Sequence, residues 1–188
     1  GNYRFMSRNS YMLIHQLSTQ FWGKYSEIED EKKNCDKLSE WIFDRQKSGL
    51  FQDANMKGKR ITTRYTAKDI VFPQTAFEIR NKIIAHLGIK NFKLAPFRYG
   101  MYASVAFKGD TCYLHKDPRY YRNHYTMHCN IKLNDSDGGD VLVNEQSYKI
   151  NKGDMWVYKT SEVNHGSNEL LSDLRLVWVY GFCVNENK

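Results

Sequence analysis

Proline is scarce in this sequence, three residues in 188, and there are only four cysteines. Cys35, Cys112, Cys129 and Cys183 form no CxxC pair and no disulfide-like spacing. Two of them sit in apolar strand patterns, where cysteine behaves as a small hydrophobe. A reducing, cytoplasmic setting is therefore expected. No apolar run is long enough to span a bilayer and no signal-peptide pattern opens the chain, so no membrane partner is expected. Gly1 stands where an initiator Met would, which reads as a trimmed start. Acidic residues are the minority, 21 against 28 basic, giving a net charge of +7. An excess this modest permits an anionic partner but is ordinarily a solvated surface.

What the chain has in quantity is aromatic side chains, thirteen Tyr and ten Phe. That suits a strand-rich globular protein rather than a disordered one, and the length fits one domain with a full core. SYMLIHQLSTQFW near the start fits a helix or a strand. His15 within it reads as a packed or surface residue, and SEIEDEKK as solvated charge. A cap at Asn34 or Asp36, a stripe of Leu38, Trp41 and Ile42, and a stop at Gly49 predict a helix near 36–48. KGKRITTRYTAK (57–68) is basic and partly alternating. It reads as a strand or hairpin arm within an exposed polar loop, the alternative being a basic lid that faces substrate. Pro73 and Thr75 open a second helix, with Ala76, Phe77, Ile79, Ile83, Ile84 and Leu87 on its apolar face and Gly88 closing it. This face should brace the outside of a sheet; His86 lies off it and reads as structural.

From Phe92 the pattern changes to short strands: KLAPFRYG, MYASVAF, CYLHKD, YTMHCNIKL, GDVLVN, SYKI, DMWVYKT and LRLVWVYGF. Turn signals at 108–110, 134–139 and 151–154 separate several of them. Strands of this kind indicate an antiparallel sandwich or jelly roll. The expected fold is mainly β with supporting helices, a double-stranded β-helix of cupin-like type. Residues 1–91 would form a helical supporting region packed on the sheet and 92–188 the core, in one integrated domain.

Within that core, His115 and Asp117 are one residue apart, and His165 follows 48 positions after Asp117 (165 − 117). In extended chain, residues i and i+2 point to one side, so His115 and Asp117 can converge while Lys116 faces away. Two imidazoles and a carboxylate can hold Fe(II) and leave coordination positions open. Arg175 lies ten residues after His165 (175 − 165), between Leu174 and Leu176. A guanidinium on the inner face of a buried strand needs an anion, which a dicarboxylate would supply. YTMHCNIKL alternates, so Thr126, His128, Asn130 and Lys132 share one face and Tyr125, Met127, Cys129 and Ile131 the other. The polar set is the candidate for the cavity, although the reverse assignment is open. HxD alone is a weak signal; the ordered conjunction of HxD, a later His-Gly and a following Arg carries the reading.

HKD (115–117), VNHGSN (163–168) and LSDLR (171–175) resemble the HxD…H…R pattern of the Fe(II)/2-oxoglutarate-dependent oxygenases. FRYGMYASVAFKGDTCYLHKD and INKGDMWVYKTSEVNHGSN are similar to the flanks of those motifs in prolyl-hydroxylase-like and aspartyl/asparaginyl-hydroxylase-like members. The resemblance covers roughly residues 97–183. It implies Fe(II) on His115, Asp117 and His165, which are then the catalytic centre. It also implies 2-oxoglutarate with its far carboxylate on Arg175, helped by Thr126 or Ser167, with O2 as co-substrate and ascorbate as an accessory reductant. The implied reaction hydroxylates an unactivated C–H of an amino acid, free or within a peptide or protein, releasing succinate and CO2. Tyr113, Arg119, Arg122, His128, Asn130 and Trp156 are the candidate substrate contacts, Arg119 or Arg122 as a grip on a carboxylate. Related hydroxylases carry an Arg near the position of Thr126, which this chain lacks. Two alternatives remain. One is oxidation or demethylation of a nucleobase, against which no second Arg follows Arg175 in the last strand. The other is a non-catalytic jelly-roll binding module. A halogenase is disfavoured because Asp117 occupies the position that halide would need. The oligomeric state is not legible.

Overall fold

The structure is a computed structural model that describes residues 3–5, 12–16, 25–54 and 58–187, with side chains from residue 32 onward. Two antiparallel sheets face each other. The larger runs, in spatial order, β1 (Tyr3–Phe5), β2 (Met12–Gln16), β11 (Asp154–Tyr158), β8 (His124–Lys132), β13 (Leu174–Asn185), β6 (Met101–Phe107), β4 (Ile61–Thr63) and β3 (Phe51–Asp53). β5 (Phe92–Leu94) pairs with the far end of β13, beyond the stretch that pairs with β6. The smaller sheet is β10 (Gln146–Tyr148), β9 (Val141–Val143), β12 (His165–Ser167) and β7 (Cys112–His115). The fold is the expected mainly-β jelly roll, with helices α1 (Tyr25–Arg45) and α2 (Gln74–Leu87) laid against the larger sheet.

Alternation along the central strands decides what each face meets. On β13, Leu176, Trp178, Tyr180 and Phe182 point to the helices, and Val177 and Val179 point between the sheets. Met127, Cys129 and Ile131 of β8 and Met155 and Val157 of β11 share the helix side, while Trp156 and Tyr158 share the inner side. Leu38, Trp41 and Ile42 from α1 and Ala76, Ile79 and Ile83 from α2 complete the helix-side core. Trp41, Phe72 and Trp178 form an aromatic trio with each pair of ring centroids 5.5 Å apart. The Trp41 indole N–H donates to the Val71 carbonyl, and the Tyr180 hydroxyl donates to the Ala76 carbonyl at 2.8 Å. All four cysteines are buried and unbridged. No described helix is long and apolar enough to cross a membrane.

α2 matches its expected bounds, with Pro73 at the N-cap and Gly88 in the left-handed conformation at φ 62°. α1 does not. It starts at Tyr25 rather than near 36 and ends at Arg45, because the charged, solvated run SEIEDEKK is rich in Glu and Lys, which are good helix formers. KLAPFRYG was expected as one strand. Only Phe92–Leu94 pairs; Pro96 interrupts the ladder, and Tyr99 and Gly100 take positive φ in a short 3-10 turn. β12 and β3 were not expected. The stretch open between helix and strand contains β2, pairing with β1 and β11; the His15 side chain lies outside the described set.

Trp178 is wholly buried at the centre of the trio. Trp178→Ala should lower the unfolding free energy by about 3–5 kcal/mol, read as a fall in denaturant midpoint at unchanged slope.

Candidate active site

Between the sheets lies a cavity of about 170 Å³, smaller than the ~300 Å³ at which drug-sized sites begin. One end is built by β7 and β12. His115 closes β7 and stands directly opposite His165, the first residue of β12. Their rings are 4.4 Å apart. Asp117, two residues past the strand, is held by its N–H donating to the Thr160 carbonyl. Asp117 Oδ1 is 3.2 Å from His115 Nε2 and 3.5 Å from His165 Nε2. One donor atom from each of these residues lies within 4.8 Å of the other two, a spacing that a single ion would bridge.

The imidazole tautomers follow from their outer partners. His115 Nδ1 lies 2.8 Å from the Tyr113 carbonyl and His165 Nδ1 3.0 Å from the Val163 carbonyl. A carbonyl only accepts, so each Nδ1 carries the hydrogen and each Nε2 is turned to the centre, where a metal would take it. Asp117, and then Cys112, push His115 up to about 10. Burial would raise Asp117, but His115 and His165 beside it outweigh this and hold it well below the usual carboxylate range. A third imidazole, His128, has Nε2 3.5 Å from Asp117 Oδ2 without forming a hydrogen bond. Burial lowers it to about 4, so it is neutral near pH 7.

The other end of the cavity is cationic. Arg175 reaches in from β13, 7% exposed, its guanidinium 5.7 Å from the Trp156 ring. Among the described residues it has no hydrogen-bond partner. Burial, reinforced by the positive charge of Arg60, lowers its pKa to about 10. Arg60 enters just before β4 and donates from Nη2 to Ser167 Oγ at 3.2 Å. Tyr102 and Tyr158 also line the cavity, with Tyr158 packed against the His165 ring; burial raises both phenols, which stay neutral.

Of the residues expected from sequence, His115, Asp117, His165, Arg175, Ser167, His128, Asn130 and Trp156 all line this one cavity. The polar face of β8 is thus the inner one at His128 and Asn130. Thr126 is not part of the wall. It is fully buried at the mouth end, its hydroxyl donating to the Pro118 carbonyl as the chain folds over it. Lys132 on the same face is spent on the Ser136 and Ile150 carbonyls. Tyr113 is 56% exposed on the outer rim beside His115. Arg119 is exposed and paired to Glu162 and Glu186, and Arg122 is exposed as well, so neither reaches the cavity. Sequence reasoning missed Arg60, Tyr65, Tyr102 and Tyr158. Arg60 belongs to the basic 57–68 segment, and only its pairing partner, unknown from sequence, distinguishes it from the surface cations around it.

The Gly of the His-Gly pair has a steric cause. An added Cβ at Gly166 would collide with the Cys112 carbonyl and stand 2.9 Å from the Tyr113 carbonyl. Gly166→Ala should push β12 off β7, part His165 from His115, and weaken divalent-metal affinity about 10–100-fold. Mn(II) calorimetry checks this, with circular dichroism to establish retained fold.

Compared by sequence, the chain matches no protein-family model and none of the curated proteins. Compared by structure, it is similar to a prolyl-4-hydroxylase from Pseudomonas putida, with 13% identity, TM-score 0.64 and 95% of each chain covered. It is also similar to a Trichoplax adhaerens prolyl hydroxylase in complex with a hypoxia inducible factor peptide fragment. There the identity is 10% and the TM-score 0.66, over 95% of this chain and 85% of that one. HygX from Streptomyces hygroscopicus, with nickel and 2-oxoglutarate bound, aligns at 12% identity and TM-score 0.65, over 97% of this chain and 89% of that one. At such identities the likeness is one of fold: the chain has the double-stranded β-helix in which those oxygenases are built.

Proposed function

We propose that this protein is an Fe(II)- and 2-oxoglutarate-dependent dioxygenase that hydroxylates an unactivated C–H of an amino acid, free or within a peptide. The observation that carries the reading is the pairing of two ends in one cavity. A His-Asp-His donor set stands at one end and a buried guanidinium without a hydrogen-bond partner at the other. Two imidazoles and one carboxylate suit Fe(II), and a chelating 2-oxo acid with a second carboxylate suits a cavity that also holds a buried guanidinium. The structural neighbours support it: one holds 2-oxoglutarate and nickel, and another is bound to a peptide.

When bound, Fe(II), O2 and 2-oxoglutarate supply the oxidation, in which 2-oxoglutarate becomes succinate and CO2 and one oxygen atom enters the substrate C–H bond. The chain's own part is geometric and electrostatic. His115, Asp117 and His165 would hold the metal from one side, turning its remaining positions into the cavity. Arg175 would fix the remote carboxylate of 2-oxoglutarate, with the Trp156 ring beside its guanidinium. Trp156, Val177 and Val179 line the space with apolar surface and exclude water from it. His128, neutral, stands next to Asp117 without adding charge. Substrate would approach over Tyr113 and Leu114, both exposed next to His115.

Anaerobic titration of the protein with Fe(II) and 2-oxoglutarate should give a visible charge-transfer band. The band should be lost in Asp117→Ala and weakened in Arg175→Ala. Absence of the band from the folded wild-type protein would instead favour a non-catalytic binding module. With the band established, succinate release should rise with amino acids or peptides; a rise only with oligonucleotides would move the reading to nucleobase oxidation.

A further inference from the structure

A second guanidinium in the cavity is unexplained by the donor set described above. Arg60 comes from the segment between β3 and β4, outside the stretch that carries the motifs, yet its side chain ends beside Ser167 inside the site. Its position is secured from behind. Asp110, buried in the turn between β6 and β7, accepts the N–H of Lys59 and, at 2.6 Å, that of Phe107. The carboxylate that anchors the segment is therefore occupied by backbone, and Arg60 is left to face the cavity. Arg60 Nε is buried without a partner.

Arg60 and Arg175 are close enough for each other's charge to be felt, and among the described residues neither has an Asp or Glu within ion-pair distance. Arg175 is buried and Arg60 half-buried in the same cavity, and two like charges brought together there are unfavourable unless an anion completes them. The strand register says where that anion would sit. Ser167 is two residues further along β12 than His165, on the same face and opposite Cys112 rather than His115. Two residues of strand span about 7 Å, the order of length of a five-carbon dicarboxylate chelated at the His-Asp-His end.

We infer that Arg60 and Arg175 together clamp the remote carboxylate of the co-substrate, so that this site selects 2-oxo acids carrying a second carboxylate. The inference rests on the 2-oxoglutarate reading above and adds to it a residue from the basic segment before β4. A carboxylate has two oxygens, and two guanidinium forks can each take one or both. Ser167 then serves to hold Arg60 rather than to meet the co-substrate alone.

The test compares 2-oxoglutarate with 2-oxopentanoate, the same chain without its second carboxylate, by anaerobic calorimetry on Fe(II)-loaded protein. Arg60→Gln should weaken 2-oxoglutarate binding at least about tenfold while leaving 2-oxopentanoate within about twofold of wild type. Arg60→Lys, which keeps the charge but not the fork, should fall between. If Arg60→Gln binds 2-oxoglutarate as tightly as wild type, or loses both acids equally, the clamp is wrong and the 2-oxoglutarate reading stands. If wild-type protein binds neither acid, the clamp and the reading fall together.

Discussion

Three strands, β8, β11 and β13, lie next to one another in the larger sheet with a core on each side, so their two faces must satisfy opposite demands. Toward the helices they present Cys129, Ile131, Met155, Trp178 and Tyr180; toward the cavity they present His128, Asn130, Trp156, Tyr158 and Val179. The strand period is two, so a slip of one residue would exchange these sets. Arg175 would then turn from the cavity to the helix side, and Trp178 would turn from the helix side toward the cavity. The register of the sheet and the integrity of the site are therefore one constraint, enforced mainly by apolar burial on the helix side.

The small sheet works differently. Its strands are three or four residues long and contribute less burial, but they set the His-Asp-His end by close backbone approach. Gly166 lets β12 lie against the carbonyls of Cys112 and Tyr113, and this proximity places His165 across from His115. Carbonyls two residues earlier in each segment then orient both imidazoles. The result is a cavity with a carboxylate and three imidazoles at one end and two guanidiniums at the other. Such separation of charge is costly to maintain in an interior, and it matches a ligand that chelates at one end and carries negative charge at the other.

Much of this was legible in the sequence. His115 and Asp117 at i and i+2 are read from local geometry alone, and the stripe from Ala76 to Leu87 ending in Gly88 gives α2 almost to the residue. The alternation in YTMHCNIKL gives the two faces of β8, although not which one turns inward. Other elements were not legible. α1 begins in a charged run whose polarity resembles coil, while its intrinsic preference is helical. β12 is too short to show a period and exists because β7 and β9 flank it. Thr126 shares a face with His128 but is capped by the chain at Pro118, a contact that no periodicity encodes.

The sequence by itself determined the β-rich class, the second helix, the ordered His-Asp-His donor set and the placement of Arg175 on an inner strand face. Each of these depends on neighbours within a few residues, or on an order of motifs that survives without coordinates. Only the tertiary structure decided that Arg119 is spent on Glu162 and Glu186, that His128 stands against Asp117, and that Arg60 lines the same cavity as Arg175. The physical reason is range. Arg60 and Ser167 are 107 positions apart in the chain, and what makes one cation of a basic segment a cavity residue is the buried Asp110 that holds its neighbour's backbone in place.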